Sequence, residues 1–233
     1  RPVDIAFGFD GAMYVSDFCT RIIGHAQNSM RDPRWDPYTG RVWRIVHKGK
    51  PTLKDWPKIE GASVVELLDL LKHPQNLVRD HARRELRSVD GIVPELDRWL
   101  AGQLADANIL EGLWVLHDQG QVRENHLKRL LGSPDQRIRA AATSLIRFQV
   151  SNLKDPMSLL KKMASDQHPR VRTEVIHTVS YLQKKDQGYA SILGQVKVSD
   201  DQGLRTVLED AGYGTASGKG PEVPVLSRPG DSK

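Results

Sequence analysis

Cysteine is almost missing from this chain: Cys19 is the single one among 233 residues. No internal disulfide can form, and no Cys-x-x-Cys metal or haem motif exists within these residues. Long apolar runs are missing too, and nothing approaches the ~18–20 residues that a membrane span needs. No block of Lys and Arg is longer than two residues, although the net charge is +5. The basic residues are spread along the helices and interleaved with Asp and Glu, and no nucleic-acid motif accompanies them. That pattern argues against nucleic acid as a partner. Arg1 stands without an initiator Met or a signal-peptide pattern, so the chain is expected to continue upstream.

What is present fits a soluble globular class, with 39% apolar and 27% charged residues. The length suits one large domain or two modest ones. Val3, Ile5 and Phe7 alternate with Asp4 and Ala6, the period of a strand with one buried face. Asp10-Gly11 marks a hairpin turn, Ala12–Ser16 reads as the return strand, and Val42, Trp43, Ile45 and Val46 make a third. Three short strands cannot close a core alone and call for more sheet. Trp35, Trp43 and Trp56 are expected to pack between sheet and helices, and Cys19 to act as a small apolar filler.

From Val64 onward the period becomes helical. Val78, Ile109, Ile138 and Val171 recur at intervals of 31, 29 and 33 residues. Ala82, Leu113, Ala142 and Val175 follow four residues on, and Leu204 opens a fifth unit. This is the spacing of HEAT-like helix pairs. First helices are predicted at Val64–Lys72, Ile92–Gly102, Val122–Leu131, Pro156–Ala164 and Gln187–Val196. Ser133-Pro134-Asp135, Ser165-Asp166 and Ser199-Asp200 stand where second helices must begin, with side-chain oxygens able to cap them. Arg79, Arg139, Arg172 and Arg205 each follow the aligned apolar residue, and the second unit lacks this arginine. Two roles are open to them: pairing with an acid of the neighbouring repeat to fix the stacking, or forming an anion-binding ladder. The histidines show no metal-ligand spacing.

The fold expected is therefore mainly α: a HEAT-like α-solenoid preceded by a small antiparallel β element. Residues 1–60 form that element, with a polar loop at 17–40, residues 61–213 the helical repeats, and residues 214–233 a flexible, Gly- and Pro-rich tail. The loop gathers Asp17, His25, Arg31 and Asp32, and loops of such length are often functional. In one reading these four line a substrate or cofactor pocket, with His25 as base or ligand. In the other, Asp32 and Asp36 cap turns before Pro33 and Pro37, while Arg31 and Arg34 bridge to the helices.

The string Phe7-Gly-Phe-Asp-Gly-Ala-Met-Tyr-Val-Ser-Asp17 resembles the blade motif of sugar/sorbosone-dehydrogenase-type β-propellers. Ile22-Ile-Gly-His25, Arg31-Asp-Pro-Arg34, Gly40-Arg-Val-Trp-Arg-Ile45 and Lys48-Gly49 resemble the last blade of the membrane-bound dehydrogenase-like proteins of planctomycete-type bacteria. The resemblance covers roughly residues 1–185. It implies a propeller followed by HEAT-like repeats and then a haem domain beyond these residues. It further implies an extracytoplasmic location, and c-type haem and pyrroloquinoline quinone as cofactors of the full-length protein, none being held within this chain. Two departures stand out: the family usually has aromatic residues where this chain has Phe18-Cys19, and the haem motif is absent. Two functions follow as expectations: the C-terminal part of a propeller dehydrogenase, silent by itself, or a non-catalytic scaffold. The expected partner is a protein or another domain of the same polypeptide.

Overall fold

The computed structural model describes residues 2–18, 31–34, 36, 38–198 and 201–212. The chain is mainly helical, with one small antiparallel sheet, and it divides into two compact units, residues 1–90 and 91–233.

The first unit begins with β1 (Pro2–Phe7), β2 (Met13–Asp17) and β3 (Arg41–Ile45), hydrogen-bonded in the order β1-β2-β3. Both pairings are antiparallel, with Val15 of β2 facing Ile5 on one side and Trp43 on the other. The β1–β2 turn closes through Gly8 N donating to the Ala12 carbonyl at 2.9 Å. Asp10 accepts the Ala12 N–H at 3.0 Å, and Gly11 adopts a φ of 78°, the left-handed region open to glycine. Ala12 and Val15 are buried, but Val3, Ile5 and Phe7 are 66%, 58% and 66% exposed. The alternation in β1 thus marks a strand without the buried face its pattern predicts, since no second layer covers it among the described residues. Trp43 and Trp56 are likewise about half exposed rather than packed. Trp35 and Cys19 lie outside the described residues.

Two helices complete this unit. α1 (Val64–Leu70) opens with a capping box: Ser63 accepts from the Glu66 N–H while Glu66 accepts from the Ser63 N–H at 2.7 Å. α2 (Asn76–Arg87) packs on α1 and buries Val78, Ala82 and Leu86. The hairpin turn touches α2: the Phe9 and His81 rings stand edge-on with centroids 5.0 Å apart.

The second unit consists of α3 (Val93–Ala101), α4 (Asp106–Asp118), α5 (Glu124–Leu131), α6 (Gln136–Gln149), α7 (Pro156–Ala164), α8 (Pro169–Leu182) and α9 (Gln202–Asp210). Consecutive helices pair as α3 on α4, α5 on α6 and α7 on α8. A second set of contacts runs α4 to α6, α6 to α8 and α8 to α9. The apolar stripe explains both sets. Ile109, Leu113 and Leu116 of α4, Ala142 and Leu145 of α6, and Val171, Val175 and Val179 of α8 are all buried. Ile138 departs from its aligned partners and is only half-buried. Gly112 lets α3 approach α4 closely, since a Cβ there would stand 2.6 Å from the Leu100 Cδ2 atom.

The predicted helix at Gln187–Val196 is instead a 3₁₀ segment over Gln187–Gln195. Gly188 and Gly194 lie inside it, and glycine disfavours a continuous α-helix by about 1 kcal/mol per residue. The capping prediction also shifts. Asp135 does cap α6, accepting the Arg137 N–H at 2.8 Å, but α8 is capped by His168, whose Nδ1 accepts from Arg170 N–H. Asp201 caps α9, accepting from Leu204 N–H at 3.1 Å; Ser199 and Asp200 are outside the described residues.

Candidate functional site

His25 of the polar loop lies outside the described residues. Asp17, at the end of β2, accepts a hydrogen bond from Trp43 Nε1 at 3.0 Å. It borders a 370 Å³ groove at the end of the sheet, beside Val3, Phe18 and Arg41. The Arg41 guanidinium lies 5.7 Å from the Trp43 ring centroid. Arg31 occupies an exposed turn. Asp32 is clamped by Arg34 at both oxygens, at 3.0 and 2.7 Å, and also accepts the Arg34 backbone N–H at 2.9 Å. These contacts hold its carboxyl down at about 2, so it is an anion and no general acid at neutral pH. Asp36 accepts from the backbone of Tyr38 and Thr39 at 3.0 and 3.1 Å. Arg34 thus closes a local turn with Asp32.

A cluster that residue spacing did not single out lies across the sheet. Arg44 of β3 donates to Asp10 at 2.6 Å and to the Tyr14 hydroxyl at 3.2 Å, and Tyr14 donates to Asp10 at 3.3 Å. The Arg44 contact, followed by the Ala12 N–H, lowers the Asp10 carboxyl below the usual aspartate range. Strand register is the signal that finds it, because Tyr14 and Arg44 are directly opposed. The cluster ties the hairpin turn to β3.

The repeated arginines share one geometry. Arg79, Arg139 and Arg172 each donate from Nη1 to a carbonyl six residues upstream: His73, Ser133 and Asp166, at 2.7, 2.8 and 2.7 Å. Each stands in the first turn of a second helix and ties down the loop leading into it. Arg139 does more, donating from Nε and Nη2 to both oxygens of Asp166 at 2.7 and 2.9 Å, across to the next helix pair. Asp166 is the residue that spacing suggested as a cap. Its carboxylate meets Arg139 and the His168 N–H instead. The α3/α4 pair, which has Leu110 where the others have arginine, obtains the equivalent contact from elsewhere. Arg129 of α5 donates to the Leu104 carbonyl, six residues before Leu110, and to Asp106 at 3.0 Å. Loop carbonyls at this position are thus met by a guanidinium in the α1/α2, α3/α4, α5/α6 and α7/α8 pairs. Arg205 is exposed on α9.

A 420 Å³ cavity lies against the start of α5, with Arg123, Glu124, Lys128 and Lys154 on its wall. Three of these charges are paired, Arg123 with Asp97 at 2.7 Å and Lys128 with Glu124 at 2.6 Å. Among the described residues no group of His, Cys, Asp and Glu is arranged to hold a metal, and no helix is long and apolar enough to cross a membrane. No protein-family model, no curated protein and no solved structure matches the chain.

Proposed function

We propose that this chain is the C-terminal part of an extracytoplasmic propeller dehydrogenase-like protein linked to c-type haem electron transfer. Its sheet is one blade of a larger propeller, and its HEAT-like repeats are an interaction scaffold. The observation that carries the proposal is the contrast between the two kinds of structure. The helices bury an apolar stripe in serial order, α4 to α6 to α8 to α9, as stacked repeats do when each unit rests on its neighbours. The sheet instead leaves Val3, Ile5, Phe7, Val42 and Trp43 open to solvent. Among the described residues both outer strands pair on one side only. A sheet with such edges and faces is fit to receive further strands. The likeness of the Phe7–Asp17 and Gly40–Ile45 strings to propeller blades gives those strands a source.

Within this reading His25, Asp17, Arg31 and Asp32 face the substrate side of the propeller, and quinone and haem belong to other parts of the polypeptide. The test is to express the full open reading frame, record the haem spectrum, and follow dye-linked oxidation of sugars with added pyrroloquinoline quinone. Oxidation that is lost in His25→Ala supports the assignment. A full-length protein without haem absorbance and without turnover sinks it.

A second reading, a non-catalytic scaffold, is favoured by one observation. Asp32 is fully engaged by Arg34 in a local turn, an arrangement that serves loop shape rather than proton transfer. Under it the full-length protein reduces no dye, while the helical unit still binds a partner.

A further inference from the structure

A run of polar side chains joins the end of α4 to the 3₁₀ turn that follows α6, Val150–Asn152. Gly120, in the left-handed region at a φ of 67°, closes α4 by donating its N–H to the His117 carbonyl at 2.9 Å. Its own carbonyl accepts from the Asn152 side-chain amide at 3.2 Å. The same Asn152 nitrogen donates to Gln149 Oε1 at 2.8 Å, and Gln149 Nε2 lies 2.8 Å from His117 Nδ1. Gln149 is 2% exposed, so bulk solvent does not replace a partner it loses.

Every orientation in this run follows from one fixed group. A backbone carbonyl only accepts, so Asn152 must turn its NH₂ toward Gly120. That NH₂ leaves Gln149 to accept with Oε1, which turns the Gln149 NH₂ toward His117. An amide NH₂ only donates, so His117 Nδ1 must be the bare nitrogen of the ring and Nε2 the protonated one. The neutral ring fits. The imidazolium, with N–H on both nitrogens, sets two donors face to face. Reversing the Gln149 amide moves the conflict to Asn152, and reversing Asn152 sets its oxygen against the Gly120 carbonyl.

The charged surroundings, among the described residues, do not offset that conflict. Leu113, Trp114, Gly120 and Gln121, three and four positions from His117, are uncharged. Asp118 is next to it in sequence, where helix side chains do not face each other. On α6 the Phe148 ring, 5.1 Å from His117, already carries the Arg147 guanidinium at 4.6 Å, a like charge. Glu174 of α8 stands 3.9 Å from that guanidinium. α3 and α5 also pack on α4, and their charges are paired: Glu95 with Arg98, Asp97 with Arg123, Glu124 with Lys128, and Arg129 with Asp106. His126 is the remaining titratable side chain of α5.

We propose that His117 is a proton-operated latch between neighbouring helix pairs. Neutral, it holds the turn after α6 to the end of α4 through Gln149 and Asn152. Protonated, it releases that turn and loosens the register of α5/α6 on α3/α4. The unfolded chain takes up this proton as pH falls through about 6.5, the ordinary histidine value. The folded chain takes it up only by giving up the run of hydrogen bonds. The stabilisation is therefore present at pH 8 and is lost as pH falls below that value. The inference stands on the packing of α6 against α4 and is independent of both the oxidative and the scaffold readings.

The test is long-range proton–nitrogen NMR of the histidine rings in the intact chain, at pH 8 and through an acid titration. The His117 signals are identified by their cross-peaks to the Phe148 ring. At pH 8 Nδ1 of His117 should be bare and Nε2 protonated. As the ring charges, the side-chain amide signals of Gln149 and Asn152 should shift with the same midpoint. Amides of residues 150–153 should then lose hydrogen-exchange protection relative to those of α8. His117→Asn places an amide oxygen near the position of Nδ1, so it keeps an acceptor for Gln149 and cannot titrate. Its Tm should fall between pH 8 and pH 5 by about 2–8 °C less than that of the parent, the size expected for one hydrogen bond to a buried group in a chain of this length. Asn152→Ala leaves Gln149 able to turn, so the link between His117 charging and residues 150–153 should disappear. A proton on Nδ1 at pH 8 would overturn the proposal. So would a ring that charges with no change at Gln149 and Asn152, or a pH dependence of Tm that is equal in the parent and His117→Asn.

Discussion

Replacing Arg139 by Met probes the contact that crosses from one helix pair to the next. Both Arg139 and Asp166 side chains are 7% exposed. The guanidinium donates twice to Asp166, and its Nη1 donates to the Ser133 and Pro134 carbonyls at 2.8 and 3.2 Å. Removing it strands a buried carboxylate that keeps the His168 N–H at 2.8 Å. Breaking one side of a buried ion pair costs about 3–5 kcal/mol. For a chain of this size that is a fall in Tm of about 6–20 °C. The double variant Arg139→Met with Asp166→Leu should recover more than half of the loss, because the stranded charge is gone. Acid titration adds a second check. Burial raises the Asp166 carboxyl, but the Arg139 hydrogen bonds, the His168 N–H and the Arg139 charge outweigh it, and the net shift is downward. A depressed folded value means that the stabilisation is present above the ordinary aspartate value of about 4 and fades as pH falls below it. Asp166→Asn should flatten that acid-side slope. A loss under about 1 kcal/mol in Arg139→Met, or strict additivity in the double variant, would refute the reasoning.

Two further outcomes follow from single positions. Gly112→Ala should destabilise by about 1–2 kcal/mol in urea unfolding: the new methyl presses on the buried Leu100, and overpacking outweighs the helix propensity that alanine adds. Glu174→Gln should raise Tm at neutral pH and make no difference below about pH 4. The folded carboxyl is raised by burial, so its penalty grows as pH rises from the ordinary glutamate value of about 4 towards that raised value and is fully present above it; a lower Tm at neutral pH would show Glu174 to be a net stabiliser.

Some of this arrangement is legible in the chain and some is not. The helix at Pro156–Ala164 has the predicted bounds, because cap and first-turn signals are local: Asp155 accepts the Ser158 N–H at 3.0 Å. The apolar stripe through Val78, Ile109 and Val171 is legible for the same reason, since helix period alone sets which face is buried. Asp166 is not, because a short acid before a helix reads as a cap. Its actual partner, Arg139, is 27 residues away and becomes visible only once two helix pairs are stacked. Arg129 is hidden likewise: it fills the place of an arginine missing from another repeat. In the loop, Asp32 and Asp36 follow the turn-capping pattern before proline, whereas Arg34 turns back on Asp32 rather than reaching away. The β1 alternation predicts a strand correctly but not its burial, which depends on a layer that these residues do not supply.

Hydrogen exchange read by mass spectrometry tests the central claim most directly, because it compares serially supported helices with an uncovered sheet in one experiment. Amides of α6 and α8, which have packed neighbours on both sides, should exchange slowest, and those of β1 and β3 fastest. Equal protection in the strands and in α6 and α8 would contradict it.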